Sequence, residues 1–253
     1  MSSINDHYHK EYTKDFASRW DDLIDWNGRR KGERQFFEKL LDQHEVETVA
    51  DVASGTGYHA ITLAQADFEV YATDGARNMV AQTRANAREH DVELADVRQV
   101  DWRELHDVYG SNRFDALLCL GNAFTHLFEH DARVEALEAM HDVLKPNGLL
   151  AVDQRNYDYI LSDGYSSKHA YYYTGKEVEA YPVEISDEAV VFEYQYADGD
   201  TFHLRLFPLR QDYVTELVTD VGFDDVRRFG DFQHPYDDDV DFIQHIAFKR
   251  ENS

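Results

Sequence analysis

Six residues in the first half of this 253-residue chain have types and spacing suited to an adenosine-bearing ligand: Asp51, Gly55, Gly57, Asp74, Asp101 and Trp102. Gly55-Thr56-Gly57 lets the backbone approach a ligand closely and starts a helix whose N–H groups face it. With Ala60 the run also fits G-x-G-x-x-A, the dinucleotide fingerprint, so the glycines alone choose no ligand. Asp51 moves the reading away from a pyrophosphate, which gains nothing from a second negative charge in the preceding strand. S-adenosylmethionine reverses that sign, because it carries a positive sulfur, an ammonium group and no phosphate. Asp74 then accepts the ribose hydroxyls, unless it merely caps the helix that follows. Asp101 takes the adenine amine and the Trp102 indole covers the ring face, although Trp102 also reads as a plain surface residue.

These residues need a particular scaffold. Strand Thr48–Ala53, helix Tyr58–Gln65, strand Glu69–Asp74, helix Met79–His90 and strand Asp96–Val100 alternate as βα units. Phe114–Leu120 is nearly all apolar and suits a central strand buried on both faces. A helix at Ala132–Leu144 is stopped by Pro146-Asn147-Gly148, and Leu149–Gln154 forms a fifth strand. The expected fold class is α/β, a doubly wound, mainly parallel sheet. After Asn156 the rhythm changes: residues 171–206 alternate aromatic and β-branched residues around Asp198-Gly199-Asp200, which predicts an antiparallel hairpin inserted after strand five. Helix Asp212–Val221 and strands Val226–Phe229 and Phe242–Lys249 close the domain. The division expected is a helical cap over 1–45, a cofactor-binding domain over 46–155 and 208–253, and a substrate-side insertion over 156–207. In the cap, residues 5–30 read as an amphipathic helix docked on the domain or as an aromatic lid over the cofactor. Residues 33–44 form a further helix with its apolar face at 36, 37, 40 and 41.

Composition narrows the partners. Lys+Arg 25 against Asp+Glu 50 gives a net charge of −25, which repels nucleic acid and anionic membrane and favours a small substrate. The same charge suggests a salt-rich cell, where counterions screen self-repulsion. Cys119 is the only cysteine, so no intrachain disulfide forms. No apolar run of about 18 residues is present, and the N-terminus lacks signal-peptide features, so a cytoplasmic location is expected. His126 and His130 stand four apart, yet no Cys or acidic motif completes a metal site.

Two blocks go further. Leu120-Gly121-Asn122-Ala123-Phe124-Thr125-His126-Leu127 and Val152-Asp153-Gln154-Arg155-Asn156-Tyr157-Asp158-Tyr159-Ile160 closely resemble blocks of the glycine N-methyltransferase family, with similarity from about Tyr8 to Lys249. The resemblance is strongest to the bacterial and archaeal glycine/sarcosine enzymes. It implies a Rossmann-like methyltransferase fold, S-adenosylmethionine as donor and an amino acid of the glycine series as acceptor. It further implies that Trp20, Arg29, Ala53, Asp74, Asp101, Trp102, Leu120 and His126 contact the cofactor. Asn122 and Arg155 fall on the acceptor-carboxylate site, and Tyr8, Tyr172 and Tyr194 on tyrosines of the acceptor pocket. The N-terminal arm is shorter than in the animal enzymes, where it helps build a tetramer, so a monomer or small homo-oligomer is expected. The expected reaction converts glycine to sarcosine and dimethylglycine for betaine synthesis; the rivals are a sarcosine/dimethylglycine enzyme and a non-catalytic S-adenosylmethionine sensor.

Overall fold

Alternate residues of the central strands feed two separate cores. Ala116, Leu118, Leu149 and Ala151 join one core, while Leu117, Cys119, Leu150 and Val152 join the other, as a strand with period two requires when both faces are covered. This computed structural model describes residues 8–165, 178–233, 236 and 239–250, with the backbone alone at positions 8 and 9.

Seven strands make the main sheet: β1 (Thr48–Asp51), β2 (Glu69–Asp74), β3 (Asp96–Gln99), β4 (Phe114–Cys119), β5 (Leu144–Arg155), β9 (Phe223–Gly230) and β10 (Phe242–Lys249). Their order is β3-β2-β1-β4-β5-β10-β9. The first five are parallel, and β10 runs antiparallel to both β5 and β9. Helices Phe36–Gln43, Tyr58–Ala64 and Arg77–Glu89 pack with the first core; helices Leu105–Tyr109, His130–Val143 and Gln211–Val221 pack with the second. The doubly wound, mainly parallel sheet expected from the βα rhythm is therefore present. Its order reverses between β1 and β4, and ligands of open α/β sheets bind beyond the strand ends at that switch.

A second sheet contains β6 (Val178–Ile185), β7 (Val190–Tyr196) and β8 (Thr201–Leu206), all antiparallel. The hairpin around Gly199 is β7–β8, with Gly199 at φ 95°. The additional strand, β6, escapes the aromatic pattern because Pro182, Glu179, Ala180 and Glu184 dilute it. Phe192, Tyr194, Tyr196, Leu204 and Leu206 turn into the first core.

Two expectations need correction. Residues 8–33 form no single amphipathic helix but four short ones: Tyr8–Glu11, Lys14–Ser18, Trp20–Leu23 and Trp26–Glu33. Thr13 and Asp25 restart the chain as N-caps, accepting from Phe16 N at 3.2 Å and Gly28 N at 3.0 Å. The chain also re-enters the sheet at Leu144 rather than Leu149, and Pro146-Asn147-Gly148 lies within β5 at a register shift against β4. Among the described residues no helix is long and apolar enough to cross a membrane, and no group of three or more His, Cys, Asp or Glu could hold a metal.

Candidate active site

Every parallel strand delivers site residues at its carboxyl end: Asp51 to Gly57 after β1, Asp74 on β2, Asp101-Trp102 after β3, Leu120 to Asn122 after β4 and Arg155 on β5. The N-terminal helices close over them from one side. Asp21 ties this segment to the glycine turn, accepting from the Thr56 hydroxyl and, at 2.7 Å, from Asn86 Nδ2. On the other side Arg19 reaches the β7–β8 turn, with Nη1 donating to Asp198 at 3.1 Å and Asp200 at 2.7 Å. The Arg19 guanidinium lies 3.9 Å from the Tyr196 ring centre.

Beneath this cover lies a cavity of about 860 Å³, counted to its open mouth. Of the residues named from sequence as cofactor contacts, Trp20, Arg29, Ala53, Gly55, Asp74, Asp101, Trp102, Leu120 and His126 line it. A smaller cavity of about 240 Å³ is lined by Asn122, Arg155 and Tyr194 with Leu204 and Leu206. Tyr12, Trp20, Gly121 and His126 belong to both linings, so the two cavities adjoin.

The lining of the larger cavity carries groups of opposite charge. Asp74 accepts Gly55 N at 2.9 Å through one oxygen and Ala76 N at 2.8 Å through the other, and each oxygen keeps a second lone pair for a ligand. Burial, aided by the Asp51 charge, pushes the Asp74 carboxyl up to about 7. A cationic ligand or hydroxyl donors would hold it ionised. The Trp102 indole donates to Val52 O at 2.7 Å, which restrains its ring, and Val100 and Leu120 line the same cavity. Asp101 accepts from Arg103 Nε at 2.6 Å and caps the short helix that Trp102 begins. Arg29 and His59 also line the cavity. Gly55 sits at φ 54°, and a Cβ there would meet only Trp20 Nε1 at 3.9 Å, so a side chain would protrude into space a ligand needs.

Two residues expected at the cofactor do not line the cavity. Asp51 is 1% exposed and outside the cavity lining, and its Oδ1 accepts from Ala53 N at 3.3 Å. Burial raises it to about 6, against the pull of His59. Its contact with Ala53 N shapes the loop that follows β1. Gly57 acts through its backbone: at φ 99° it starts the helix, and a Cβ would press to 3.0 Å on Thr83. Tyr172 lies outside the described residues, as does the side chain of Tyr8.

In the smaller cavity Arg155 is 3% exposed, so it is no surface cation paired at the rim. Its guanidinium carbon lies 4.6 Å from the Phe192 ring centre and 5.0 Å from that of Phe242. Asn122, in left-handed backbone at φ 62°, accepts Arg155 N through Oδ1 at 2.9 Å and donates through Nδ2 to the Tyr157 hydroxyl at 2.9 Å. Its amide therefore braces β5 against β4. His126 Nε2 lies 3.0 Å from the Tyr12 hydroxyl, and burial lowers its pKa to about 4, so the ring is neutral.

Sequence reasoning missed Tyr12, which stands at the junction of the cavities. Tyr8, Tyr12, Phe16 and Trp20 repeat every four residues, so spacing alone did not single out position 12. It also missed Glu33 and His59, which meet from separate elements at 3.1 Å with no linear signature.

Comparison with known proteins identifies the family and the fold. Residues 49–148 match the family described as "Methyltransferase domain". The chain is 45% identical over 97% of its length to the glycine/sarcosine N-methyltransferase of Aphanothece halophytica, covering 92% of that protein. It is likewise 45% identical to the glycine/sarcosine N-methyltransferase of Halorhodospira halochloris, covering 96% of this chain and 91% of that one. An S-adenosylmethionine-dependent methyltransferase from Clostridium acetobutylicum superposes with a TM-score of 0.72 over 93% of this chain and 98% of its own, at 15% identity, which shows the fold they share. With near-complete coverage at that identity, the chain belongs to the glycine/sarcosine N-methyltransferase family.

Proposed function

We propose that the protein transfers methyl groups from S-adenosylmethionine to the amine of glycine and then of sarcosine, giving dimethylglycine. The observation that carries this reading is the shared wall of Tyr12, Trp20, Gly121 and His126, with Asp74 and Trp102 in one cavity and a buried Arg155 in the other. The larger cavity suits the donor. Asp74 would receive the ribose hydroxyls, Trp102 and Leu120 would wall the adenine, and Arg29 would meet the donor's carboxylate. When bound, S-adenosylmethionine supplies a methyl group already activated by its positive sulfur.

The acceptor side does the rest by placement. Arg155 pairs with the acceptor carboxylate, whose two oxygens match the guanidinium fork. Asn122 keeps β5 and the loop after β4 in register, so the fork stays aimed. Tyr194 and Tyr12 offer hydroxyl oxygens to the amine protons, which turns the amine toward the shared wall. Most of the acceleration comes from holding the amine nitrogen near the methyl carbon in an orientation ready to react. Neutral His126 is too weak a base to remove the amine proton, so the amine must lose it to solvent. In this reading residues 1–45 cap the donor, 156–207 enclose the acceptor, and Tyr8 and Tyr172 belong to the acceptor pocket. The product of two transfers is one methyl short of betaine, an osmolyte suited to the salt-rich cell that a −25 chain implies. Incubating the protein with S-adenosylmethionine and glycine, sarcosine or dimethylglycine separately, and weighing the products by mass spectrometry, tests it. Absence of new mass on glycine and sarcosine would refute it.

A further inference from the structure

Arg29 brings a permanent positive charge to the larger cavity, but an arginine side chain is long and adopts many rotamers. Here it is restrained twice. Arg29 Nε donates to Glu33 Oε1 at 2.7 Å, and its guanidinium carbon lies 4.9 Å from the Tyr58 ring centre. The hydrogen bond fixes the guanidinium plane, and the ring supports its face. The same Glu33 oxygen lies 3.1 Å from His59 Nε2. Arg29, Glu33 and His59 are all buried. Burial pushes the Glu33 carboxyl up, but His59 and Arg29 outweigh it and hold the group below the usual carboxylate range. Glu33 is therefore a charged acceptor at neutral pH, sharing one oxygen between two residues of the cavity wall.

The backbone is shaped to deliver it. Helix Trp26–Glu33 puts Arg29 and Glu33 one turn apart on one face. It ends at Glu33 because Arg34 and Gln35 both adopt left-handed backbone, at φ 52° and 58°, a conformation disfavoured for residues with a Cβ. His59 stands one residue into the helix that the glycine turn starts. The network thus fastens the N-terminal segment to the turn at the point where the arginine enters the cavity.

We propose that Glu33 is a positioning residue for donor binding: with His59 it holds Arg29 aimed at the carboxylate on the amino-acid end of S-adenosylmethionine. This rests on the donor assignment above. The role is that of an acceptor, so glutamine, which keeps an oxygen of the same reach, should replace it and an apolar residue of similar size should not.

Calorimetric binding of two nucleosides tests this without turnover. S-adenosylhomocysteine carries the amino-acid carboxylate; 5′-methylthioadenosine has the same adenosine without it. Glu33→Leu should lose at least tenfold in affinity for S-adenosylhomocysteine and less than threefold for methylthioadenosine, and Glu33→Gln should recover most of the loss. An unchanged S-adenosylhomocysteine affinity in Glu33→Leu, or equal losses for both nucleosides, would overturn the proposal. If Glu33→Leu does not fold, Glu33→Asp carries the same comparison, since its shorter side chain withdraws from Arg29. Wild-type protein that binds neither nucleoside would instead refute the donor assignment itself.

Discussion

Replacing Arg155 with methionine should disable the acceptor site and leave the donor site intact. Arg155 is 3% exposed and sits among the rings of Phe192 and Phe242, so an acceptor carboxylate paired with it is largely removed from water. Truncating one partner of such a buried pair costs about 2–5 kcal/mol. At about 1.4 kcal/mol per decade this is roughly 30- to 4,000-fold. Asn122 offers little compensation, because its Nδ2 already donates to Tyr157 and its Oδ1 accepts from Arg155 N. The expected loss in kcat/KM is therefore about 100- to 1,000-fold, and it should be alike for glycine and sarcosine, which share the carboxylate. Methionine suits the vacated space, since a thioether packs well against aromatic rings. Thermal stability should hold, and S-adenosylhomocysteine affinity should stay within threefold, because Arg155 lines the smaller cavity alone. Arg155→Lys keeps the charge without the fork and should fall between. Methyl transfer assayed over a range of glycine, with calorimetry for the nucleoside, separates the two sites. A kcat/KM for glycine within tenfold of wild type, or a matching loss of nucleoside affinity, would refute the assignment.

Four other outcomes follow from the same structure. Asp51 is raised to about 6, so the folded state keeps a proton that the unfolded chain releases near 4, and its contribution to stability falls as pH rises between those values. Asp51→Asn should accordingly stabilise the nucleoside-free protein by about 1–3 kcal/mol at pH 8 and confer little at pH 4; thermal scans at both values check it, and an equal effect at both speaks against the charge. His245 shows the opposite sign: burial lowers it to about 3, so stability present above pH 6.5 is lost as pH falls. Neither of its ring nitrogens has a hydrogen-bond partner among the described residues, so His245→Leu should gain about 1–3 kcal/mol at pH 7 and shift acid unfolding to lower pH, as urea titrations would reveal. For catalysis, kcat/KM for glycine should climb from pH 6 to 9, and His126→Gln should keep that slope; a flat wild-type profile rules out attack by the neutral amine. With a net charge of −25, unfolding midpoints should rise with KCl, and equal stability at very low and molar KCl would count against a salt-adapted chain.

The parts of this fold visible in sequence were those whose signals are local. Strands Glu69–Asp74 and Phe242–Lys249 stand with the boundaries their patterns suggest, because apolar runs bounded by polar residues leave few alternatives. The turn at Gly55 was equally visible, since positive φ leaves few residue choices. What stayed hidden depends on which way a side chain turns or what it meets across the fold. Asp51 is in the expected strand, yet it is buried and outside the cavity lining. Tyr12 reaches the cavity junction from the break between two short helices, where Thr13 caps the second. Both N-cap signals, Thr13 before Phe16 and Asp25 before Gly28, were present in the sequence but were outweighed by the aromatic stripe. The pairing of Glu33 with His59 arises only once two helices are packed.

The shared wall has a consequence for how two methylations are linked in time. Tyr12 and Trp20 belong to the cover of both cavities, and that cover is tied to the glycine turn through Asp21 and to the β7–β8 turn through Arg19. A spent nucleoside that leaves past Tyr12 and Trp20 loosens the same segment that encloses the amino acid. Renewing the donor therefore uncovers the half-finished product, and the enzyme should work distributively. Sarcosine should build up free in solution early in the reaction, and chasing labelled glycine with excess unlabelled sarcosine should trap most of the label before it reaches dimethylglycine.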